Sequence, residues 1–196
     1  RNGRGGRGTI FLWAAGNGGE DDDNSNKNGY ANAIEAIAVG AMIDDAIVLD
    51  QIAQFAEAGA DLISIHAENA NAAEGLALIK QLGLKSGIVL QLHTPVSAAK
   101  AFLDDIDMLT LLGTRIGVKG QGLDAQATNR LTEARKLVAD NVTGRRLIVA
   151  ADGGIREHTV PDLRKAGAET IVMGSLAFGA PDFAERISWV NGLDRA

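Results

Sequence analysis

The residues of this chain best suited to chemistry follow runs of branched apolar residues. After Met108–Leu112 comes Gly113-Thr114-Arg115-Ile116-Gly117-Val118-Lys119-Gly120-Gln121-Gly122. After Leu147–Ala151 comes Asp152-Gly153-Gly154, and after Thr170–Met173 comes Gly174-Ser175. Glycine lets the backbone come close to a ligand, and free N–H groups at the start of a following helix bind phosphate. Three successive loops of this kind point to a phosphate held by backbone groups. Asp152, in the middle loop, ends an apolar run and so enters the same region. A carboxylate there can donate or accept a proton, or ligate a metal. The plainer reading of Asp152 is a turn residue or helix cap, but the setting Ala-Asp-Gly-Gly favours the functional one.

The elements that position these loops alternate from Asp44 onward. Gln51–Ala58 reads as the end of a helix and Leu62–Ile65 as a strand. Ala70–Leu82, Val96–Leu103, Asp124–Ala139 and Val160–Ala166 read as helices, with a last helix after Ser175. Gly87–Leu92, Met108–Leu112, Leu147–Ala151 and Thr170–Met173 read as strands. These strands are rich in Ile, Leu and Val with little polar alternation, which suits a parallel sheet covered on both faces. Strand–helix units in this order make an α/β fold, either a βα barrel or an open doubly wound sheet. In both, function gathers at the C-terminal ends of the strands. A short repeat supports the unit: Ala58-Gly59-Ala60-Asp61-Leu62-Ile63 returns as Ala166-Gly167-Ala168-Glu169-Thr170-Ile171. In each, glycine is expected to close a helix just before a strand.

Bulk properties exclude several classes. The chain has 196 residues and a net charge of −6, so wholesale attraction to nucleic acid or to an anionic membrane is not expected. It has no cysteine, which excludes disulfides, thiolate zinc sites and cysteine nucleophiles and fits a reducing, cytoplasmic location. No apolar run approaches the ~18 residues of a membrane helix. The chain opens on Arg1 rather than Met, which reads as an excised or processed piece.

From about Asp50 to Gly179 the chain resembles the ribulose-phosphate 3-epimerase family. The resemblance is carried by Phe55-Ala56-Glu57-Ala58-Gly59-Ala60-Asp61, Ile65-His66-Ala67-Glu68, Gly87-Ile88-Val89-Leu90 and Thr94-Pro95. It continues through Leu103-Asp104-Asp105-Ile106-Asp107, Asp152-Gly153-Gly154-Ile155 and Gly174-Ser175-Leu176-Ala177-Phe178-Gly179. The resemblance implies a (β/α)8 barrel that inverts the carbon beside a ketose carbonyl. Two aspartates would exchange protons there while a divalent metal (Zn, Mn, Fe or Co) stabilises the enediolate. Asp152 matches the second aspartate, which is also a metal ligand. Gly117, Val118, Lys119 and Gly120 match the phosphate-contacting loop, and Gly153, Gly154, Gly174 and Ser175 match the remaining substrate positions. The family's usual Pro-Gly-Phe-Gly-Gly-Gln is Ile116-Gly117-Val118-Lys119-Gly120-Gln121 here, and its Asn-Pro after strand five is Gln91-Leu92. The strands that carry the family's other metal ligands, its first catalytic aspartate and a substrate-contacting serine are not matched. His66 matches a non-ligand histidine, and His93 and His158 fall in loops. The expectation is therefore an impaired isomerase, or a phosphate-binding module without chemistry.

Residues 1–43 differ in composition. They are rich in Gly and Asn and carry the acidic run Glu20-Asp21-Asp22-Asp23, flanked by the apolar runs Thr9–Ala15 and Ala36–Val39. Ile10–Gly19, with its Ala-Gly-Asn-Gly-Gly, and Asn28-Gly29-Tyr30-Ala31-Asn32 resemble the kexin/furin branch of subtilisin-like serine proteases. That resemblance implies a vestigial oxyanion donor at Asn17 and a vestigial calcium ligand at Asp23. No triad accompanies them, so a peptidase is excluded. The expected organisation is a subtilase-like fragment over 1–43 and a partial barrel of about five βα units over 44–196. The first two strands would form an appendage that either joins the barrel sheet or leaves open edges through which two chains complete each other as a homo-oligomer. The expected partner is a sugar phosphate.

Overall fold

A computed structural model describes residues 11–15, 36–40, 48–116 and 120–193. Among the described residues seven strands form one sheet whose spatial order is the order of the chain. They are β1 (Phe11–Ala15), β2 (Ala36–Gly40), β3 (Leu62–His66), β4 (Lys85–Leu90), β5 (Met108–Leu112), β6 (Ile148–Asp152) and β7 (Thr170–Ile171). Every neighbouring pair is parallel. The two N-terminal strands join the sheet, with Ile37 opposite Leu62 and Val39 opposite Ser64. The helices are α1 (Val48–Glu57), α2 (Ala72–Gln81), α3 (Ala127–Asn141), α4 (Val160–Lys165), α5 (Gly174–Phe178) and α6 (Phe183–Gly192). Helix α5 follows β7 and lies against β1, so the sheet curls and brings its end back toward its beginning, as in an incomplete α/β barrel.

Alternation along the strands makes two cores. Ile63, Ile65, Ile88, Leu90, Leu109, Leu111 and Val149 pack against helix residues such as Ile52, Leu76, Leu131 and Leu163. Leu62, Val89, Met108, Leu112, Ala150 and Val172 form a second cluster on the face the helices do not cover, the interior of the curved sheet. Both faces are therefore buried, which is why the strands read as apolar runs without alternation.

The repeated glycines do what their spacing predicts. Gly59 and Gly167 have φ of 92° and 109°, and Ala60 and Ala168 donate back to Phe55 and Leu163 at 3.1 and 3.0 Å. This 6→1 bond closes the helix and turns the chain into the next strand. Three elements differ from expectation. Val96–Asp105 is a 3₁₀ helix, with Val96, Ala99 and Leu103 on its buried side; Arg145 caps its end through the carbonyls of Leu103 and Ile106. Helix α3 starts at Ala127 rather than Asp124, because Asp124 accepts the Gln126 N–H at 2.8 Å in a turn ahead of it. The helix after Ser175 is two, α5 and α6, and the second is capped by Asp182, which accepts the Glu185 N–H.

Candidate active site at the strand ends

The three loops singled out in the sequence stand side by side. Strands β5, β6 and β7 are consecutive neighbours, with Leu112 opposite Asp152 and Ala151 opposite Ile171. Backbone groups bind the first two loops together: Gly113 donates to the Asp152 carbonyl at 2.6 Å, and Asp124 donates to the Gly113 carbonyl at 2.9 Å. Their glycines are used for close approach. A Cβ on Gly113 would lie 2.6 Å from the Leu123 Cδ1 and 2.7 Å from the Gly153 carbonyl. One on Gly154 would meet the Leu123 backbone at 2.7 Å. Gly153 has a φ of 86° and faces Thr114, whose hydroxyl would be 2.3 Å from an added Cβ. Gly174 and Gly120 are different, since a Cβ on either meets nothing within 4 Å. Gly174, Ser175 and Gly120 are exposed. Gly117, Val118 and Lys119 lie outside the described residues, as do Asn17 and Asp23.

Asp152 ends β6 on the interior face, two residues beyond Ala150 of the interior cluster. It keeps part of its surface open to the mouth of the curved sheet, yet its carboxyl is closely surrounded. Burial pushes that carboxyl up to about 6, while the Gly153 amide and nearby His66 act in the opposite sense. A carboxyl tuned toward neutrality is suited to both taking and giving a proton.

The other wall of the mouth was less evident from the sequence. His66 ends β3, 3% exposed, with Nδ1 3.5 Å from Glu68 Oε2. That is an ion-pair separation at the outer limit of a hydrogen bond, and no other described group reaches this nitrogen. Glu68 Oε1 accepts the Gln91 N–H at 3.0 Å and the Thr94 hydroxyl. Burial works against its charge, but the His66, Thr94 and Gln91 contacts outweigh it and hold the carboxyl at about 2. From the other side, Arg130 of α3 donates to the Thr94 carbonyl at 2.8 Å and to the Gln91 carbonyl at 2.9 Å. The loop after β4 is thus clamped between an anion and a cation. Arg130 was findable: it sits on the stripe of Ala127, Leu131, Ala134 and Val138 that α3 buries, and a charge on such a stripe must be paired. A small crevice of about 10 Å³ lies beneath the β5 and β6 loops between Gly113, Leu123, Arg130 and Gly153. It opens onto outer-core residues such as Leu131 and Leu163 rather than onto Asp152.

The family model for "Ribulose-phosphate 3 epimerase family" matches residues 33–178. The chain belongs to the ribulose-phosphate 3-epimerase family. The match takes in β2 as well as nearly all of the region from Asp50 to Gly179. Ribulose-phosphate 3-epimerase of Bacillus subtilis is 35% identical over 142 residues, which is 72% of this chain and 65% of that protein. The chloroplastic ribulose-5-phosphate-3-epimerase of Arabidopsis thaliana is 32% identical over 148 residues, 74% of this chain and 52% of that one. Ribulose-phosphate 3-epimerase of Escherichia coli K12 is 33% identical over 137 residues, covering 69% and 60%. The chain therefore spans roughly half to two thirds of the length of these relatives. Among solved structures, 3-hexulose-6-phosphate synthase superposes with a TM-score of 0.59 at 20% identity, over 81% of this chain and 74% of that one. That likeness speaks for the barrel fold.

The family is generally dependent on a divalent metal. The described residues do not fit one. Among them no three His, Cys, Asp or Glu side chains stand close enough to share an ion. Among the described residues, His66 is the titratable group that acts on Asp152, and both His93 and His158 are exposed. One carboxylate and one imidazole fall short of the several ligands a divalent site needs. No described helix is long and apolar enough to cross a membrane.

Proposed function

We propose that this chain is a pentulose-phosphate 3-epimerase-type domain that binds a sugar phosphate and is weak as an isomerase by itself. The observation that carries the reading is Asp152, a buried carboxyl raised to about 6 at the mouth, beside three glycine-bearing strand ends. On this reading the phosphate rests on Gly153, Gly154, Gly174 and Ser175, and Gly117, Val118, Lys119 and Gly120 are its further binding residues. Asp152 takes the proton from one face of the carbon beside the carbonyl and by itself can return one only to that same face. Inversion needs a second donor on the opposite face, which is why the chain alone is weak as an isomerase. The shortage of metal donors among the described residues favours a second reading, a sugar-phosphate-binding module without chemistry.

Two measurements test this. Titration calorimetry of the full chain with ribose 5-phosphate should show binding, weakened about tenfold by Gly174→Asp. That substitution strains a backbone at φ 38° but leaves free space for its side chain, whereas one at Gly153 would be strained at φ 86° and collide with Thr114 as well. No binding, or binding indifferent to Gly174→Asp, overturns the reading. Incubation with ribulose 5-phosphate and Mn²⁺ in deuterated water then separates the two versions. Slow deuterium entry beside the carbonyl, abolished in Asp152→Asn, supports the epimerase-type domain; binding without exchange leaves the module.

A further inference from the structure

The wall opposite the glycine loops holds a preorganised pair that the reaction described above does not use. His66 lies on the interior face with Leu62 and Ser64, its neighbour in register being Val89. Burying an imidazole among apolar groups has a free-energy cost unless its nitrogens are satisfied, and neither Val89 nor the other residues of the interior cluster can satisfy them. Its Nδ1 is turned to Glu68 at 3.5 Å. A carboxylate on one ring nitrogen fixes the ring's orientation and its tautomer, and aims the opposite nitrogen away from the carboxylate. The support behind it is firm. Glu68 is held by the Gln91 amide and the Thr94 hydroxyl, and their loop is held by Arg130. His66 ends β3 on the interior face as Asp152 ends β6 on it, so both stand at the C-terminal end of the curved sheet. Strand order places β3 three strands from β6, so His66 and the phosphate loops occupy different parts of the rim. A ligand whose phosphate is held by those loops would extend its other end toward His66.

We propose that His66, oriented by Glu68, is the substrate-contacting group that hydrogen-bonds the carbonyl-end oxygens of a bound ketose phosphate. The assignment rests on the sugar-phosphate reading and adds a recognition element for the sugar end of the ligand. Ring-nitrogen spectra of the ¹⁵N-histidine-labelled full chain test it directly. Ribulose 5-phosphate should move the His66 resonances and inorganic phosphate should not. Resonances unmoved by ribulose 5-phosphate overturn the proposal, whether or not phosphate binds. Resonances moved by ribulose 5-phosphate in a chain that shows no binding of phosphate alone support His66 while removing the phosphate loops. Affinities sharpen the result. His66→Leu should weaken ribulose 5-phosphate about tenfold and leave inorganic phosphate unchanged, whereas a purely structural role would move both or neither. His66→Gln, which keeps a donor near the far ring nitrogen, should recover most of the loss. Glu68→Gln should give a smaller loss, about threefold, by loosening the ring. Equal affinity of His66→Leu and the unsubstituted chain for ribulose 5-phosphate would sink the idea.

Discussion

The two walls of the mouth are built from different materials. On the β5–β7 side the groups that could meet a ligand are backbone atoms, brought together by glycines at 113, 153 and 154. On the β3–β4 side they are side chains: His66, Glu68, Thr94 and Arg130, linked in series from β3 to α3. Backbone recognition tolerates variation in side chains but not the addition of one. Side-chain recognition is the reverse, sensitive to each functional group and indifferent to the backbone between them. A ligand with an anionic end and a polyhydroxylated end suits a rim divided in this way.

Substitutions can break this contrast, and the largest effect is expected at Arg130. Arg130→Ala removes the donor of two carbonyl bonds and uncovers a half-buried site, so a loss of about 3 kcal/mol is expected in denaturant unfolding. Arg130→Lys should recover only part of it, because an ammonium cannot copy the forked pair of bonds. Full recovery by lysine would show that charge alone matters on this wall. The second effect separates the two carboxylates by pH. Asp152 rises from 3.8 to about 6 in the folded chain, so the folded state binds that proton more tightly than the unfolded one. Its contribution to stability is greatest below pH 4 and falls as pH rises to 6, by about 2 to 3 kcal/mol at most. Glu68 is depressed from 4.5 to about 2, so its contribution is present above pH 4.5 and is lost on acidification toward 2. In chelator-treated buffer, Asp152→Asn should flatten the slope between pH 4 and 6, and Glu68→Gln should flatten the one below it. A slope between pH 4 and 6 that survives Asp152→Asn would assign it elsewhere. The smallest effect tests the backbone wall against itself. Gly153→Ala, strained in φ and colliding with Thr114, should cost about 2 kcal/mol, and Gly174→Ala, strained in φ alone with open space around its Cβ, about 1. Equal melting temperatures for the two would show that the β5 and β6 loops are not interlocked.

What the sequence revealed follows from how local each cause is. The parallel α/β order was legible because strands buried on both faces leave apolar runs, and the helix-closing glycines because a positive φ has few other occupants. Asp152 and the glycine loops were legible for a similar reason: each is a contiguous string next to its strand. The side-chain wall was not, because its contacts join residues far apart in the chain, 66 with 68 but 68 with 94 and 94 with 130. Thr94 and Gln91 look like ordinary loop residues until Glu68 and Arg130 reach them. The 3₁₀ form of Val96–Asp105 was hidden for another reason, since spacings of three and four bury nearly the same residues over ten positions.

The sheet is also ordered in time. Each strand from β2 to β7 pairs with the one made just before it, so a chain leaving the ribosome can add every unit to an edge already in place. Most pairings join stretches close together in the chain, which keeps loop closure inexpensive and the assembly rapid for a parallel sheet. The same order makes each newest edge strand a temporary acceptor for a neighbouring chain. The interval in which β6 waits for β7, only two residues long, is the point at which this assembly is most exposed to mispairing.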